Sequence, residues 1–323
     1  MPLGAARRAG PWRAASGRLK ERAPATWERL AAVWSWLETK LEPLEPVWDY
    51  PASLWVGLRN REHFMSVLTF VLFVGYPRSG HTVLASLLNA HPNVVIGHRL
   101  RALRCVETGY SGSQIRGMVL AADRRFAAMG RIGSKRYDYS VPGQWQGRFA
   151  ELQVIGDGNV SNSILRRRPD LLPKLRARVG VPVRLIHVVR NPYDNIATLS
   201  IRNRLTIDEA IDRYFELCEG SMSARAACEG DDWIDVRHED LLDDPEGCLR
   251  RLCGILGIKA DDGYLRDCGS IVYRRPHRSR LDVAWSPAQL SDIQARMDGY
   301  PFLEGYSFDE GSTYEEGSPA GST

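Results

Sequence analysis

The stretch Val67-Leu68-Thr69-Phe70-Val71-Leu72-Phe73-Val74-Gly75-Tyr76-Pro77-Arg78-Ser79-Gly80-His81-Thr82 sets the reading of the whole chain. Its first half is a continuous apolar run, as expected of a strand buried on both faces. Its second half is a short loop bounded by Gly75 and Gly80, followed by Val83-Leu84-Ala85-Ser86-Leu87-Leu88-Asn89-Ala90, which reads as a helix. A buried strand, a tight loop and a helix N-terminus together form an anion cradle. Backbone N–H groups converge there, and the helix dipole favours negative charge.

The spacing of the loop is that of G-x-x-x-x-G-K-[ST], with His81 in place of the lysine and the positive charge moved to Arg78. A nucleoside-triphosphate enzyme also needs Mg²⁺, held in part by an acid at the end of a neighbouring apolar strand. The strongest such strand, Val183-Arg184-Leu185-Ile186-His187-Val188-Val189, ends instead in Arg190-Asn191-Pro192. A P-loop kinase with an altered loop is therefore the weakest of three readings. Two strand ends that both present arginine suit a ligand with several phosphates and no metal.

Two motifs resemble those of the sulfotransferases. Gly75-Tyr76-Pro77-Arg78-Ser79-Gly80-His81-Thr82 resembles their 5′-phosphosulfate loop, and Val189-Arg190-Asn191-Pro192-Tyr193-Asp194-Asn195-Ile196-Ala197-Thr198 their 3′-phosphate motif. Val236-Arg237-His238-Glu239-Asp240-Leu241-Leu242-Asp243-Asp244-Pro245 is similar to a strand and turn that they carry before a late helix. The resemblance spans roughly residues 67 to 297. It implies the P-loop-like sulfotransferase fold and 3′-phosphoadenylyl sulfate (PAPS) as donor, with no metal. It further implies that Arg78 holds the 5′-phosphosulfate and offsets charge on the breaking bond. Ser79, Gly80, His81 and Thr82 would cradle the 5′-phosphate, and Arg190 and Thr198 the 3′-phosphate, with Ser200 as a substitute for Thr198. The basic cluster Arg274-Arg275-Pro276-His277-Arg278-Ser279-Arg280, with Trp285 beyond it, is either a segment folded over the nucleotide or a solvated charge run.

The same resemblance implies a general base shortly after the first helix, a Glu where this chain has Arg99. Arginine cannot serve as a base at physiological pH. The adjacent His98 is one candidate. Asp157, between Gly156 and Gly158 at the end of another apolar strand, is a second, with a turn carboxylate as its structural alternative. The remaining reading is a catalytically impaired protein or interaction module that keeps the fold to bind PAPS or its product. The acceptor, a small molecule, glycan or peptide hydroxyl or amine, is not legible. Trp145 and the stretch from Tyr137 to Phe149 offer aromatic lining for it or simply core.

The rest of the chain frames this site. Strands alternate with helices through residues 64–306, so an α/β fold with a mostly parallel central sheet flanked by helices is expected. Residues 1–25 read as a disordered basic tail, weakly similar to a transit peptide, and 307–323 as a disordered acidic one. Residues 26–63 form a Trp-rich helical extension. In it Trp27, Leu30, Trp34, Leu37 and Leu41 share one helical face, suited to packing on the main domain or to a peripheral membrane or partner contact. A net charge of +4 over 323 residues is too small to argue for nucleic acid. The six cysteines show no CxxC pair or zinc spacing and are expected as free thiols. With no apolar run of spanning length and no secretory leader, a cytoplasmic location is expected.

Overall fold

The structure, a computed structural model, describes residues 50–133, 137–273 and 277–309. The basic tail, the face from Trp27 to Leu41, Arg274, Arg275 and the acidic tail beyond Asp309 lie outside the described residues. The unit that carries the sheet begins at Ala52.

In chain order the elements are α1 (Tyr50–Arg59), β1 (Thr69–Gly75), α2 (His81–Asn89), β2 (Val94–Gly97), α3 (Ala102–Glu107) and α4 (Gly112–Ala128). There follow β3 (Val154–Val160), α5 (Asn162–Arg167), α6 (Leu171–Val179), β4 (Val183–Val189), α7 (Pro192–Asn203) and α8 (Ile207–Ala226). The last elements are β5 (Trp233–Arg237), α9 (His238–Asp243), α10 (Pro245–Ile255), α11 (Asp262–Ser270) and α12 (Pro287–Met297). All five strands are parallel, in the order β2-β3-β1-β4-β5. The expected α/β fold with a parallel central sheet flanked by helices is the observed one.

Side chains alternate across a strand, and the central β1 shows why both faces must be covered. Phe70, Leu72 and Val74 enter one core with residues of α3, α4 and α6. Val71 and Phe73 enter the other with residues of α2, α10 and α11. A third cluster gathers Tyr76, Val189 and Tyr193 with residues of α8 and α12 beyond the strand ends. The winding reverses at β1, since β3 lies on one side and β4 on the other. Such a switch point opens a crevice at the carboxyl ends of the strands, where the loop after β1 sits.

The apolar strand expected to end at Asp157 continues through it to Val160, and its pairing with β1 shifts register between Leu72 and Phe73. Gly156 lets the two backbones close there: a Cβ at this position would strike the Val71 carbonyl oxygen and stand 2.8 Å from the Val71 Cβ. The segment after β5 turns at once into α9, and the late helix expected from Asp244 begins at Pro245, capped by the Asp244 carboxylate accepting from the Gly247 amide at 2.9 Å. All six cysteines are free, five of them buried.

Gly156→Ala should destabilise the fold by about 1–3 kcal/mol, because the added methyl meets backbone that cannot rotate away. A lower urea midpoint with an unchanged slope checks this.

Candidate functional site

The loop after β1 is built by local backbone chemistry. The Ser79 amide donates to the Tyr76 carbonyl at 3.1 Å, closing a turn whose third residue, Arg78, has φ 75°. Gly80 follows with φ 92° and is the N-cap of α2. The left-handed conformation suits glycine, and a Cβ here would also collide with the His238 ring. Gly80 brings no side chain to cap α2, and the first intrahelical bond is Leu84 N–H to the Gly80 carbonyl at 3.1 Å. The His81, Thr82 and Val83 amides thus head a nine-residue helix with no intrahelical acceptor.

Buried polar atoms without partners collect around this helix start. They are Ser79 Oγ, His81 Nδ1, His238 Nδ1 and, from the next strand end, Arg190 Nε. An unpaired buried polar atom costs about 1–3 kcal/mol, so the group is stable only where another interaction compensates. Burial pushes His81 down to about 4 and His238 down to about 3. Both imidazoles are therefore neutral at neutral pH, and His81 supplies no substitute for a lysine charge.

Arg190 stands at the end of β4 and is only 7% exposed. Its guanidinium donates to the Arg78 carbonyl at 3.3 Å and also to the His277 carbonyl. Asp194, one turn along α7, is 4.0 Å from Arg190 but is held more closely by Arg280, at 2.7 Å from the guanidinium and 2.9 Å from the amide. The Glu239 carboxylate accepts from the Asn191 amide at 3.0 Å and from the Tyr306 hydroxyl at 2.8 Å. Thr198 donates to the Asp194 carbonyl at 2.8 Å and meets the Ser279 hydroxyl at 2.9 Å. The segment around Ser279 therefore covers α7, and among the described residues of the basic cluster, 277–280, Ser279 and Arg280 are buried. Ser200, the substitute for Thr198, is turned to the Leu205 carbonyl at 2.8 Å and closes the end of α7.

A buried chain of hydrogen bonds fixes the base of the loop. The Gly75 amide donates to Asn162 Oδ1 at 2.7 Å, and Asn162 Nδ2 reaches Ser221 Oγ at 2.5 Å. Ser221 lies 3.4 Å from the Tyr76 hydroxyl, which lies 3.3 Å from His187 Nε2. His187 Nδ1 in turn meets Asp235 at 2.8 Å. Sequence reasoning missed Asn162 and this chain, quoted His238 only within the strand-and-turn motif, and held Ser279 and Arg280 within the basic cluster without singling them out. The only signal for the chain was His187 in the middle of the apolar run Leu185 to Val189.

The base candidates separate clearly. Asp157 is buried and both its oxygens are in use. Oδ2 accepts from the Ala102 amide at 2.6 Å, the first of α3, and Oδ1 from the Asn159 amide at 3.0 Å. Burial raises its pKa to about 6 against these two bonds, which lower it. Asp157 is thus the turn carboxylate of the two readings. His98 follows β2, its ring stacked on Phe126 at 4.0 Å, beside a small cavity lined in part by Ser86, Asn89 and Arg131. Burial, with Arg99 and Arg131 nearby, lowers His98 to about 4. Arg99 itself is exposed, with φ 58°, and His98 and Arg99 both fall after the last strand residue, Gly97. The aromatic lining is a run of rings: Phe126 to Tyr139 at 6.1 Å, Tyr139 to Tyr137 at 4.6 Å, and Tyr137 to Tyr273 at 5.8 Å. Trp145 is 38% exposed and takes no part in that run.

Residues 183–262, which run from β4 to the start of α11, match the model of a family described as the sulfotransferase family. It is the family that the two loops resemble. No curated protein matches the chain. Among solved structures, the sulfotransferase domain of an olefin synthase from Synechococcus PCC 7002 is similar at 20% identity, with a TM-score of 0.41, over 71% of this chain and 87% of that one. A Mycobacterium avium sulfotransferase is similar at 15% identity and 0.43, over 78% and 82%. A mouse sulfotransferase complexed with PAP is similar at 13% identity and 0.43, over 72% and 84%.

Ser79→Ala should raise the stability of the ligand-free chain by about 1 kcal/mol, since it deletes a buried hydroxyl with no partner. A higher urea midpoint checks this. The neutral histidines set an acid limit. Below pH 6.5 the unfolded chain binds protons that the folded His81 and His238 refuse, so stability falls as pH drops from about 6.5 toward 4. Asp157, raised in the fold, works in the opposite direction below pH 6. His238→Gln should therefore flatten the acid loss by about 1 kcal/mol per pH unit relative to the parent chain, read from urea unfolding at pH 7, 6 and 5.

Proposed function

We propose that this chain, matched to the sulfotransferase family over β4 to α11, transfers a sulfuryl group from PAPS to a hydroxyl or amine acceptor. One observation carries the reading. The buried Arg190 guanidinium is bonded to the Arg78 carbonyl at 3.3 Å, which sets the two anion-binding strand ends side by side, next to a helix N-terminus with no side-chain cap.

The residues fit a doubly phosphorylated nucleotide. Ser79 Oγ and Arg190 Nε are buried donors without acceptors, and the α2 amides face the same need. Arg78 and the amides of Ser79, Gly80, His81 and Thr82 would hold the 5′ end, with the Thr82 hydroxyl adding a bond. Arg190, Thr198 and Ser279 would hold the 3′-phosphate. The Thr198 proton is engaged by the Asp194 carbonyl, so a phosphate there draws either that proton or the Ser279 hydroxyl. Arg280 keeps Asp194 neutralised and so spares Arg190 for the ligand. PAPS supplies a sulfuryl group on an activated bridging oxygen. Fixed positive groups can stabilise the charge that develops there without reorganising, and Arg78, exposed in the loop, would be the group to do it. His98, neutral at neutral pH, is in the state required to accept the acceptor's proton, although a pKa of about 4 makes it a weak base.

A second reading, donor binding without turnover, is favoured by the full engagement of Asp157 and the exposed Arg99 beside His98. It shares the donor site and differs only in product formation.

Calorimetry with adenosine 3′,5′-bisphosphate and with ATP tests the assignment. Arg190→Ala should weaken the bisphosphate by about 1.5–3 kcal/mol, the scale of hydrogen bonds to a charged group. ATP, lacking the 3′-phosphate, should lose far less. Equal losses for the two nucleotides would overturn the 3′-phosphate role.

A further inference from the structure

Helix α1 is amphipathic in the wrong sense for a helix packed on a domain. The side turned inward carries small residues: Ser53 and Gly57 are its buried members, and Asn60 just past its end is buried as well. Gly57 meets α4 backbone to backbone, for a Cβ there would stand 3.0 Å from the Ser113 carbonyl carbon, and one on Gly117 would stand 2.9 Å from the Gly57 nitrogen. Ser113 Oγ donates to the Gly57 carbonyl at 3.0 Å and Gln114 Nε2 to Ser53 Oγ at 2.9 Å. This contact leaves the apolar stripe facing outward. Leu54, Trp55 and Leu58, at i, i+1 and i+4, lie within one arc of the helix and are 52%, 60% and 71% exposed. Met65 and Leu68 just beyond are 81% and 54% exposed.

We propose that this face is a docking surface for an anionic lipid bilayer. The charge around it selects that occupant. The Arg59 guanidinium sits over the Trp55 ring at 5.1 Å, and Arg61 and His63 follow, against the single acid Glu62 from Tyr50 to Leu68. An exposed Trp-Leu stripe edged by arginines matches the acyl boundary below and the headgroups above. The preceding sequence is mixed: from Arg7 to Arg29 there are seven basic residues against two glutamates, while residues 30–49 hold Lys40 against Glu38, Glu42, Glu45 and Asp49. Each basic residue near an anionic surface strengthens attachment. Among the described residues no helix is long and apolar enough to cross a membrane, so the contact is one that lies on the surface. The inference does not depend on the donor assignment.

Cosedimentation of the full chain with vesicles tests it. Vesicles of phosphatidylcholine with phosphatidylserine should bind the chain, and phosphatidylcholine alone much more weakly. The double variant Trp55→Ser/Leu58→Ser should lose at least about tenfold in affinity for the anionic vesicles, as expected when two interfacial apolar side chains are removed. A second pair, Met65→Gln/Leu68→Gln, gives an independent reading should the first not fold. No binding to anionic vesicles overturns the proposal. So does undiminished binding by the folded variants, which would place attachment in the basic segment alone. A concentration-dependent dimer that the variants abolish, with no vesicle binding, assigns the face to a second copy and likewise overturns it.

Discussion

The Arg190 guanidinium, buried at the end of β4, ties together three parts of the chain that are remote in sequence. It bonds the Arg78 carbonyl in the first loop and the His277 carbonyl in the C-terminal segment, and lies within ion-pair reach of Asp194 on α7. A charge taken out of water needs such partners. Burial lowers its pKa, while Asp194 and Glu239 offset that push. Because Arg280 takes the closer bonds to Asp194, Arg190 is held in place mostly by neutral carbonyls. The guanidinium is thus fixed by backbone dipoles, with Asp194 shared with Arg280.

That arrangement follows from topology. The reversal of winding at β1 puts the ends of β1 and β4 next to each other, and the parallel register pairs Gly75 with Val188. Two residues farther along each strand direction lie the loop and Arg190. The chain from Gly75 through Asn162, Ser221, Tyr76 and His187 to Asp235 then pins the loop from beneath. Its members come from β3's exit, α8, β4 and β5, so the loop is positioned by the whole sheet rather than by its own turn. This supports the preorganisation that an electrostatic site requires.

The imidazoles near the loop share one physical state. His81, His98 and His238 are all lowered by burial, and neighbouring arginines push further on each of them. Positive charge in the site therefore resides on guanidiniums, while the histidines offer neutral donors and acceptors. The cost appears only in acid, where protonating any of them would place another cation among arginines.

The sequence by itself determined the alternation of strands and helices, the glycine-bounded loop after β1 and the arginine at the second strand end. These are local features: an apolar run, a glycine-bounded turn and a Pro at a helix start are written in adjacent residues. It also made Arg78, Ser79, Gly80, His81, Thr82, Arg190 and Thr198 nameable as site residues. Only the tertiary structure decided that β3 runs through Asp157, whose carboxylate holds the start of α3, and that Ser200 closes a helix end. It alone brought Asn162 and His238 to the loop and Ser279 and Arg280 to α7, and turned the apolar side of α1 outward. Most of these depend on partners tens to more than a hundred residues away, Ser200 with its acceptor at Leu205 being the near one. A side chain's spacing along its own element says which face it occupies, but the identity of what faces it is set by packing.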